Sequence, residues 1–130
     1  MRNLIVEPGP KSPKVVFDVD KYHFELAGRS IPEDSVAFYK KIYAWLDKFG
    51  PELSGRVEFD FKLEYFNTSS SKCILDVFKR INNINKTNDN AEVAINWYVE
   101  EGDDDMVDTG EDYKALLSDI EFNIIEVDEL

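Results

Sequence analysis

The sequence predicts an α/β fold, a two-layer sandwich in which a mixed β-sheet of about five to six strands carries about three helices mainly on one face. Three observations predict it. Two apolar runs near the N-terminus, separated by a short turn, indicate a β-hairpin and hence antiparallel pairing. From residue 56 onward, strand and helix patterns alternate, which requires crossover connections and largely parallel pairing. One long strand pattern alternates apolar with charged residues, so one face of the sheet must meet water.

The N-terminal part of the chain is predicted to form three strands. Leu4 to Val6 form a short edge strand that ends at the Pro-Gly-Pro of residues 8–10. Residues 14–20 and 22–27 form the hairpin, and residues 28–30 are expected to turn the chain out of the sheet. With 130 residues, the chain is expected to be a single domain over residues 1–130.

A helix is predicted from Pro32 to about Phe49, because a proline and two acids begin it and a Gly-Pro pair ends it. Its apolar residues form two adjacent stripes: Phe38, Ile42, Trp45 and Phe49, and beside them Val36, Tyr39, Tyr43 and Leu46. A face this wide has two interpretations. Either the helix is deeply buried, or its large aromatic residues belong to a partner-binding face made of Tyr39, Tyr43 and Trp45.

The clearest strand runs from Arg56 to Phe66. Its inward residues are expected to be Val57, Phe59, Phe61, Leu63 and Tyr65, and its solvent-facing residues Glu58, Asp60, Lys62 and Glu64. A helix that ends near Asn85 follows it, with an apolar stripe of Ile74, Val77, Phe78 and Ile81. Residues 91–99 form the next strand, a third helix ends near Ser118, and residues 122–127 form the last strand.

The charge of the chain is uneven. There are 27 acidic and 15 basic residues, a formal charge of −12. Residues 1–99 hold 14 of each, so residues 100–130, with 13 acids and Lys114 as their one base, carry the whole excess. Such a protein is not expected to bind nucleic acid or an anionic membrane. No apolar stretch is long enough for membrane insertion or a secretory signal, and a single cysteine, Cys73, fits a reducing cytoplasm.

The acidic end has three interpretations: a disordered tail, a metal-binding loop, or part of the fold. A tail is not expected, because the segment contains apolar residues at helical and strand spacing that need a core. A calcium loop that began at Asp103 would need glutamate where Lys114 stands. We therefore expect Asp103 to Asp105 to form the first turn of the last helix, and a later start at Thr109 with Asp112 as its capping partner is the alternative.

The sequence contains no arrangement that indicates catalysis. His23 is expected to be a strand residue on the wet face rather than a catalyst, because a general base needs an orienting partner. Cys73 is expected to be a small core residue rather than a nucleophile. The chain lacks a glycine-rich phosphate loop and a zinc-ligand cluster. We therefore expect no cofactor, no metal and no enzymatic activity.

The run Asn67-Thr68-Ser69-Ser70-Ser71 is the most informative segment, because it follows a central strand and enters a helix. One interpretation is capping, since asparagine, threonine and serine are preferred at helix starts. The other is phosphorylation. A phosphate there would meet unpaired amides at the positive end of the helix dipole, and it would add nearly two negative charges. The residues alone leave both interpretations open.

Three blocks of the sequence, in order and at fitting spacing, resemble the SiaC family of regulatory phosphoproteins. Residues 63–72 (LEYFNTSSSK) are similar to the family's strand end, tyrosine, apolar residue, Asn-Thr-Ser-Ser and lysine. Residues 30–35 (SIPEDS) resemble the segment before its first helix, and residues 96–98 (NWY) resemble a later strand. The departures are Ile31 in place of an aromatic residue and a third serine, Ser71.

The resemblance implies a fold like the STAS domain of anti-sigma-factor antagonists and a regulatory protein that is a substrate rather than an enzyme. In this family a Ser/Thr protein kinase of the histidine-kinase-like ATPase fold phosphorylates the threonine, and a PP2C-type phosphatase removes the phosphate. The unphosphorylated form binds and activates a diguanylate cyclase, which raises cyclic di-GMP and favours biofilm formation. Carried onto this chain, the phosphorylated residue is Thr68, and the switch loop comprises Asn67, Ser69, Ser70, Ser71 and Lys72.

Two further interpretations stay open at this level. The same fold could serve as a constitutive protein-interaction or small-ligand-binding domain without a phosphorylation switch. The wet face of the sheet, where Val16 and Tyr98 lie among charged residues, is a candidate homodimer surface.

Overall fold

The computed structural model describes all residues 1–130 and contains one six-stranded sheet and three α-helices. The strands are β1 (Leu4–Val6), β2 (Lys14–Asp18), β3 (His23–Ser30), β4 (Gly55–Phe66), β5 (Ala91–Glu100) and β6 (Glu121–Val127). The helices are α1 (Ser35–Phe49), α2 (Thr68–Thr87) and α3 (Asp104–Leu116), with a short 3-10 turn, Gly50–Glu52, after α1. None of the helices combines the length and apolarity needed to cross a membrane.

The sheet is mixed, and its strands lie side by side in chain order. β1, β2 and β3 pair antiparallel, whereas β3, β4, β5 and β6 pair parallel. Each parallel connection is made by one helix, because a parallel pair needs a crossover. Buried residues of all three helices join a single cluster with one face of the sheet. The predicted α/β two-layer sandwich is therefore confirmed.

The core lies between the sheet and the helices as one cluster of 25 buried residues. Phe78 of α2 links the two layers. Its ring meets those of Phe61, Trp97 and Tyr113 edge-on, at centroid distances of 4.7, 6.1 and 5.0 Å. Burial of this apolar surface is the main driving force for folding.

The wide apolar face of α1 is mostly buried. Tyr39 is fully buried, and Trp45 is 5% exposed, with its indole N–H donating to the backbone carbonyl of Arg2 at 2.7 Å. These two side chains belong to the core and are not available to a partner on this surface. Tyr43 is half-buried, and the guanidinium of Arg80 lies 4.1 Å from the centre of its ring.

The prediction that residues 28–30 turn the chain out of the sheet is wrong, because they continue β3 to its end. A β-bulge interrupts the register there: Gly28, with φ of +101°, pairs with Leu63, but the next residue of β3 pairs with Tyr65. The extra residue on β4 reverses the alternation of side chains at the strand end. Tyr65 is therefore 52% exposed, against its predicted inward position, and Phe66 packs on the core.

The acidic segment is part of the fold. Asp103 caps α3 by accepting from the backbone N–H of Met106, so the helix starts at the acidic run, and the alternative start at Thr109 is wrong. Gly110 is required inside the helix, since a Cβ there would come within 2.6 Å of the Trp97 ring. The backbone of α3 thus lies directly on the indole, whose N–H donates to the carbonyl of Met106 at 3.0 Å.

The opposite face of the sheet carries charges that pair with one another. The Glu25 carboxylate, 7% exposed, lies 2.9 Å from the ammonium groups of both Lys14 and Lys62. Burial raises the pKa of Glu25, but the hydrogen bonds and charges of the two lysines outweigh burial and hold that pKa below its ordinary value. Nearby, Arg56 donates two hydrogen bonds of 3.1 and 2.7 Å to Glu121 and lowers the pKa of Glu121 to about 2.

Candidate functional site at the start of the second helix

The run of hydroxyl residues forms the first turn of α2 rather than a loop before it. Asn67 is the N-cap, and its side-chain oxygen accepts a 2.9 Å bond from the Ser70 backbone N–H and a 3.1 Å bond from the Ser69 hydroxyl. The helix begins at Thr68, so the hydroxyl residues fill its opening positions. The capping interpretation is therefore correct for Asn67.

Buried hydroxyl groups hold this turn against the two elements that precede it. The fully buried Ser70 Oγ accepts a 2.9 Å hydrogen bond from Ser30 Oγ at the end of β3. Ser30 Oγ also lies 2.7 Å from the Tyr39 hydroxyl of α1, and Ser35 Oγ at the start of α1 lies 2.8 Å from Ser69 Oγ. The end of β3 and the starts of α1 and α2 therefore form one hydrogen-bonded unit.

Ser71 connects the same turn to α3. Its hydroxyl lies 2.9 Å from Tyr113 Oη, and the Tyr113 hydroxyl donates to the Ser71 backbone carbonyl at 3.0 Å. Burial raises the pKa of both Tyr113 and Tyr39, so both phenols stay protonated near neutral pH. The network is thus electrically neutral, and it fixes positions without adding charge.

Thr68 differs from the three serines of this turn. Its side chain is exposed, and its hydroxyl has no hydrogen-bond partner in the protein, whereas each serine hydroxyl is bonded. As the first residue of α2, it lies where backbone N–H groups lack intrahelical acceptors and the helix dipole is positive. An enzyme could reach this hydroxyl without disturbing the network beneath it.

Thr68 lines an open groove between α2 and α3, with a volume of about 460 Å³. The groove is lined by Phe66, Asn67, Thr68, Ser71, Lys72, Leu75, Thr109, Asp112, Tyr113 and Leu116. Its two charged residues, Lys72 on α2 and Asp112 on α3, have opposite sign. A phosphate on Thr68 would be attracted by the first and repelled by the second.

The structure places the predicted switch residues, 67–72, at the N-cap and in the first one and a half turns of α2, and it places other candidates elsewhere. Tyr43 reaches α2 one turn on, where its hydroxyl donates to the Cys73 carbonyl at 3.0 Å. Cys73 itself is buried in the core, and His23 lies on the charged face of the sheet, 3.9 Å from Glu25. No group of three or more His, Cys, Asp or Glu side chains is arranged to hold a metal ion.

Sequence reasoning missed Ser30, Ser35 and Tyr113 as members of this site. The two serines were visible in the SIPEDS block, but nothing in the block indicates that their hydroxyls meet the start of α2. Tyr113 lies 42 residues from Ser71 in the chain, and no local pattern links the two.

Comparison with known proteins assigns the chain to a family. The family model described as "SiaC family regulatory phosphoprotein" matches residues 6–127, nearly the whole chain. The chain therefore belongs to the SiaC family. A relative in Pseudomonas aeruginosa, described as an uncharacterised protein, is 23% identical over 108 residues, which cover 82% of this chain and 84% of the relative.

Solved structures share the fold. SiaC of P. aeruginosa superposes with a TM-score of 0.85 at 21% identity, covering 98% of this chain and 100% of SiaC. Apo-SiaC of the same organism gives a TM-score of 0.83 at 22% identity, and the match covers 96% of this chain and 99% of apo-SiaC. A crystal structure of the diguanylate cyclase SiaD in complex with its activator SiaC contains a chain that matches with a TM-score of 0.85 at 21% identity. The match covers 95% of this chain and 99% of that one.

Proposed function

We propose that this member of the SiaC family is a non-enzymatic switch, in which phosphorylation of Thr68 controls the binding of a diguanylate cyclase. The observation that carries the proposal is the contrast within the first turn of α2. Thr68 presents an exposed hydroxyl without a partner, whereas the serines beside it are held in hydrogen bonds. A modifying enzyme would therefore find at Thr68 an exposed hydroxyl that no internal hydrogen bond holds.

The physical effect of the phosphate would be electrostatic and steric. The charges of Lys72 and Asp112 cancel in the unmodified groove. A phosphate on Thr68 would add about −1.5 to −2 charges at neutral pH. Lys72 and the free amides of the first turn would hold it in place, and the groove between α2 and α3 would become negative and partly filled. An effector that fits the unmodified turn would lose both charge and shape complementarity.

Family membership supports the choice of effector class. SiaC of P. aeruginosa is an activator of the diguanylate cyclase SiaD, and we propose a cyclase as the effector of this chain as well. In this proposal the unphosphorylated form binds and activates the cyclase, which raises cyclic di-GMP. A Ser/Thr kinase of the histidine-kinase-like ATPase fold adds the phosphate, and a PP2C-type phosphatase removes it.

Phosphate mapping tests the assignment of the site. The chain is incubated with its cognate kinase and ATP, and intact-mass and peptide mass spectrometry follow. Wild type is expected to gain one phosphate on Thr68, and Thr68→Ala is expected to gain none. Ser69→Ala is the matched control, because it changes the neighbouring hydroxyl and leaves Thr68 in place. Phosphate incorporated to the wild-type level in Thr68→Ala would refute the assignment.

A second candidate function is constitutive binding through the same groove. The partly apolar lining of the groove favours it, since Leu116 is 64% exposed at its wall. This function predicts that partner capture is indifferent to both Thr68→Ala and Thr68→Glu. Thr68→Ala is the cleaner variant, because a glutamate carries about one charge rather than nearly two.

A further inference from the structure

The C-terminal half of α3 forms the wall of the groove opposite Thr68. The residues of α3 that line the groove form one stripe at helical spacing: Thr109, Asp112, Tyr113 and Leu116. The two walls differ in polarity. The start of α2 is the positive end of its helix dipole, whereas this half of α3 lies towards the negative end of its own. An anion between the walls is therefore attracted by α2 and repelled by α3.

α3 is also the helix with the smallest buried share. Only Gly110 and Tyr113 of its 13 residues are buried, whereas α2 buries eight of its 20 residues and α1 five of its 15. α3 carries five acids and a single base, Lys114, so its own charges already repel one another. An element with few buried contacts opens locally at low cost. A negative charge beside the groove therefore acts on the wall that resists it least.

Two sets of contacts hold α3 to the rest of the protein. In its first half, the Trp97 indole N–H donates to the Met106 carbonyl at 3.0 Å, and the helix backbone at Gly110 lies directly on the indole. In its second half, the Tyr113 hydroxyl lies 2.9 Å from Ser71 Oγ and donates to the Ser71 carbonyl at 3.0 Å. Ser71 follows Thr68 by three residues and is therefore its neighbour on the surface of α2.

We infer that a phosphate on Thr68 displaces the C-terminal half of α3, so that α3 is the element that converts the modification into a change of shape. The inference rests on the proposed phosphorylation of Thr68. Lys72 and the free amides of α2 hold the phosphate, and its charge repels Asp112 and the negative end of α3. The hydrogen bonds between Tyr113 and Ser71 break, and the groove widens along the side that carries Leu116.

The two tryptophans make this displacement measurable in the full-length chain. The Trp97 indole N–H bonds to α3, whereas the Trp45 indole N–H bonds to the Arg2 carbonyl near the N-terminus. Phosphothreonine is incorporated at residue 68 during synthesis of the isotope-labelled chain and is verified by intact mass, so the test needs no kinase. Relative to the unmodified chain, we expect the Trp97 indole signal to shift and the Trp45 signal to stay. Hydrogen exchange of the amides of residues 111–116 should accelerate at least about tenfold.

Asp112→Asn tests the electrostatic cause. The change keeps the size of an exposed side chain and removes the charge that faces the phosphate, so the acceleration caused by the phosphate should fall below about threefold. Asp108→Asn is the matched control. It removes one charge from an exposed position of the same helix outside the groove lining, and it is expected to respond as wild type does. Equal responses of the two variants would overturn the electrostatic cause.

Tyr113→Phe tests the contact with α2 without any phosphate. The change removes the hydroxyl that bonds to Ser71 and keeps the ring that packs on Phe78. Exchange of the amides of residues 111–116 is expected to accelerate in the unmodified variant, while the Trp45 signal stays in place. Exchange at the wild-type rate would overturn the role of the Tyr113 hydroxyl in holding α3.

The inference and the proposed switch can fail separately. An unchanged Trp97 signal and unchanged exchange of α3 in the phosphorylated chain would overturn the inference, even if that chain bound a cyclase more weakly. A displaced α3 together with unchanged cyclase binding would support the inference and contradict the proposed function.

Discussion

The start of α2 and the open face of the sheet are both polar, but they are built differently. On the sheet, charged groups pair with one another, as Glu25 does with Lys14 and Lys62. At the start of α2 the network consists of neutral hydroxyls, and it leaves out one exposed group, Thr68. Polarity alone therefore does not distinguish the two surfaces. At the start of α2, the hydrogen-bonded network fixes the backbone that carries Thr68 but leaves the Thr68 hydroxyl itself unbonded.

The two regions should also differ in energy. A buried hydrogen bond is expensive to break because its partner is left without water, whereas an exposed ion pair such as Arg56 with Glu121 is replaced by water at little cost. Substitutions in the hydroxyl network should therefore have larger effects on stability than substitutions among the exposed charges of the sheet.

The largest effect on stability is expected from Ser70→Ala. The change adds no atom to the core but removes the acceptor of the Ser30 hydroxyl in a fully buried position. We expect the free energy of unfolding to fall by about 1–3 kcal/mol. Thr68→Val is the control in the same turn, and it should change that free energy by less than about 0.5 kcal/mol. Urea denaturation measures both, and equal losses would contradict the distinction between the two hydroxyls.

A smaller, pH-dependent effect is expected from Glu25→Gln. The pKa of Glu25 is lowered in the folded protein, so its contribution to stability is present above the ordinary glutamate pKa of about 4.3 and is lost as the pH falls through the folded pKa. The variant should be less stable than wild type near pH 7, and the gap should narrow towards about pH 3. The control is the exposed Glu129→Gln, which should show no gap at either pH. A difference in stability between wild type and Glu25→Gln that grows as the pH falls would contradict this prediction.

The smallest effect is expected from Arg56→Lys. The change keeps the positive charge but loses the two-nitrogen contact with Glu121, which is exposed to water. We expect only a small loss of stability, which decreases further in about 1 M salt. A larger loss that does not respond to salt would show that the open face contributes more to stability than the hydroxyl network does.

Much of the fold could be predicted from the sequence because local patterns determine it. The alternation from Val57 to Leu63 predicted a central strand with one wet face, and Asp103 at the head of an acidic run predicted the start of α3. Both signals reside in neighbouring residues, where periodicity and capping chemistry act.

The predictions failed where contacts between residues distant in the chain determine the structure. The bulge at Gly28 depends on pairing with β4, and it turns Tyr65 outward although the alternation of the β4 sequence predicted an inward position. For the same reason, the site was predicted only in part. Residues 67–72 are contiguous and were found, but their contacts with Ser30 and Tyr113 exist only once β3 and α3 have packed against α2.

If phosphorylation of Thr68 controls the binding of a cyclase, the two forms of the chain must differ in their affinity for it. Calorimetric titration of the diguanylate cyclase from the same organism is carried out with the unphosphorylated chain and with the chain phosphorylated on Thr68. We expect phosphorylation to weaken binding at least about tenfold, and kinase-treated Thr68→Ala to bind as the unphosphorylated chain does. Equal affinity of the two forms would contradict the switch and would favour a constitutive binding domain.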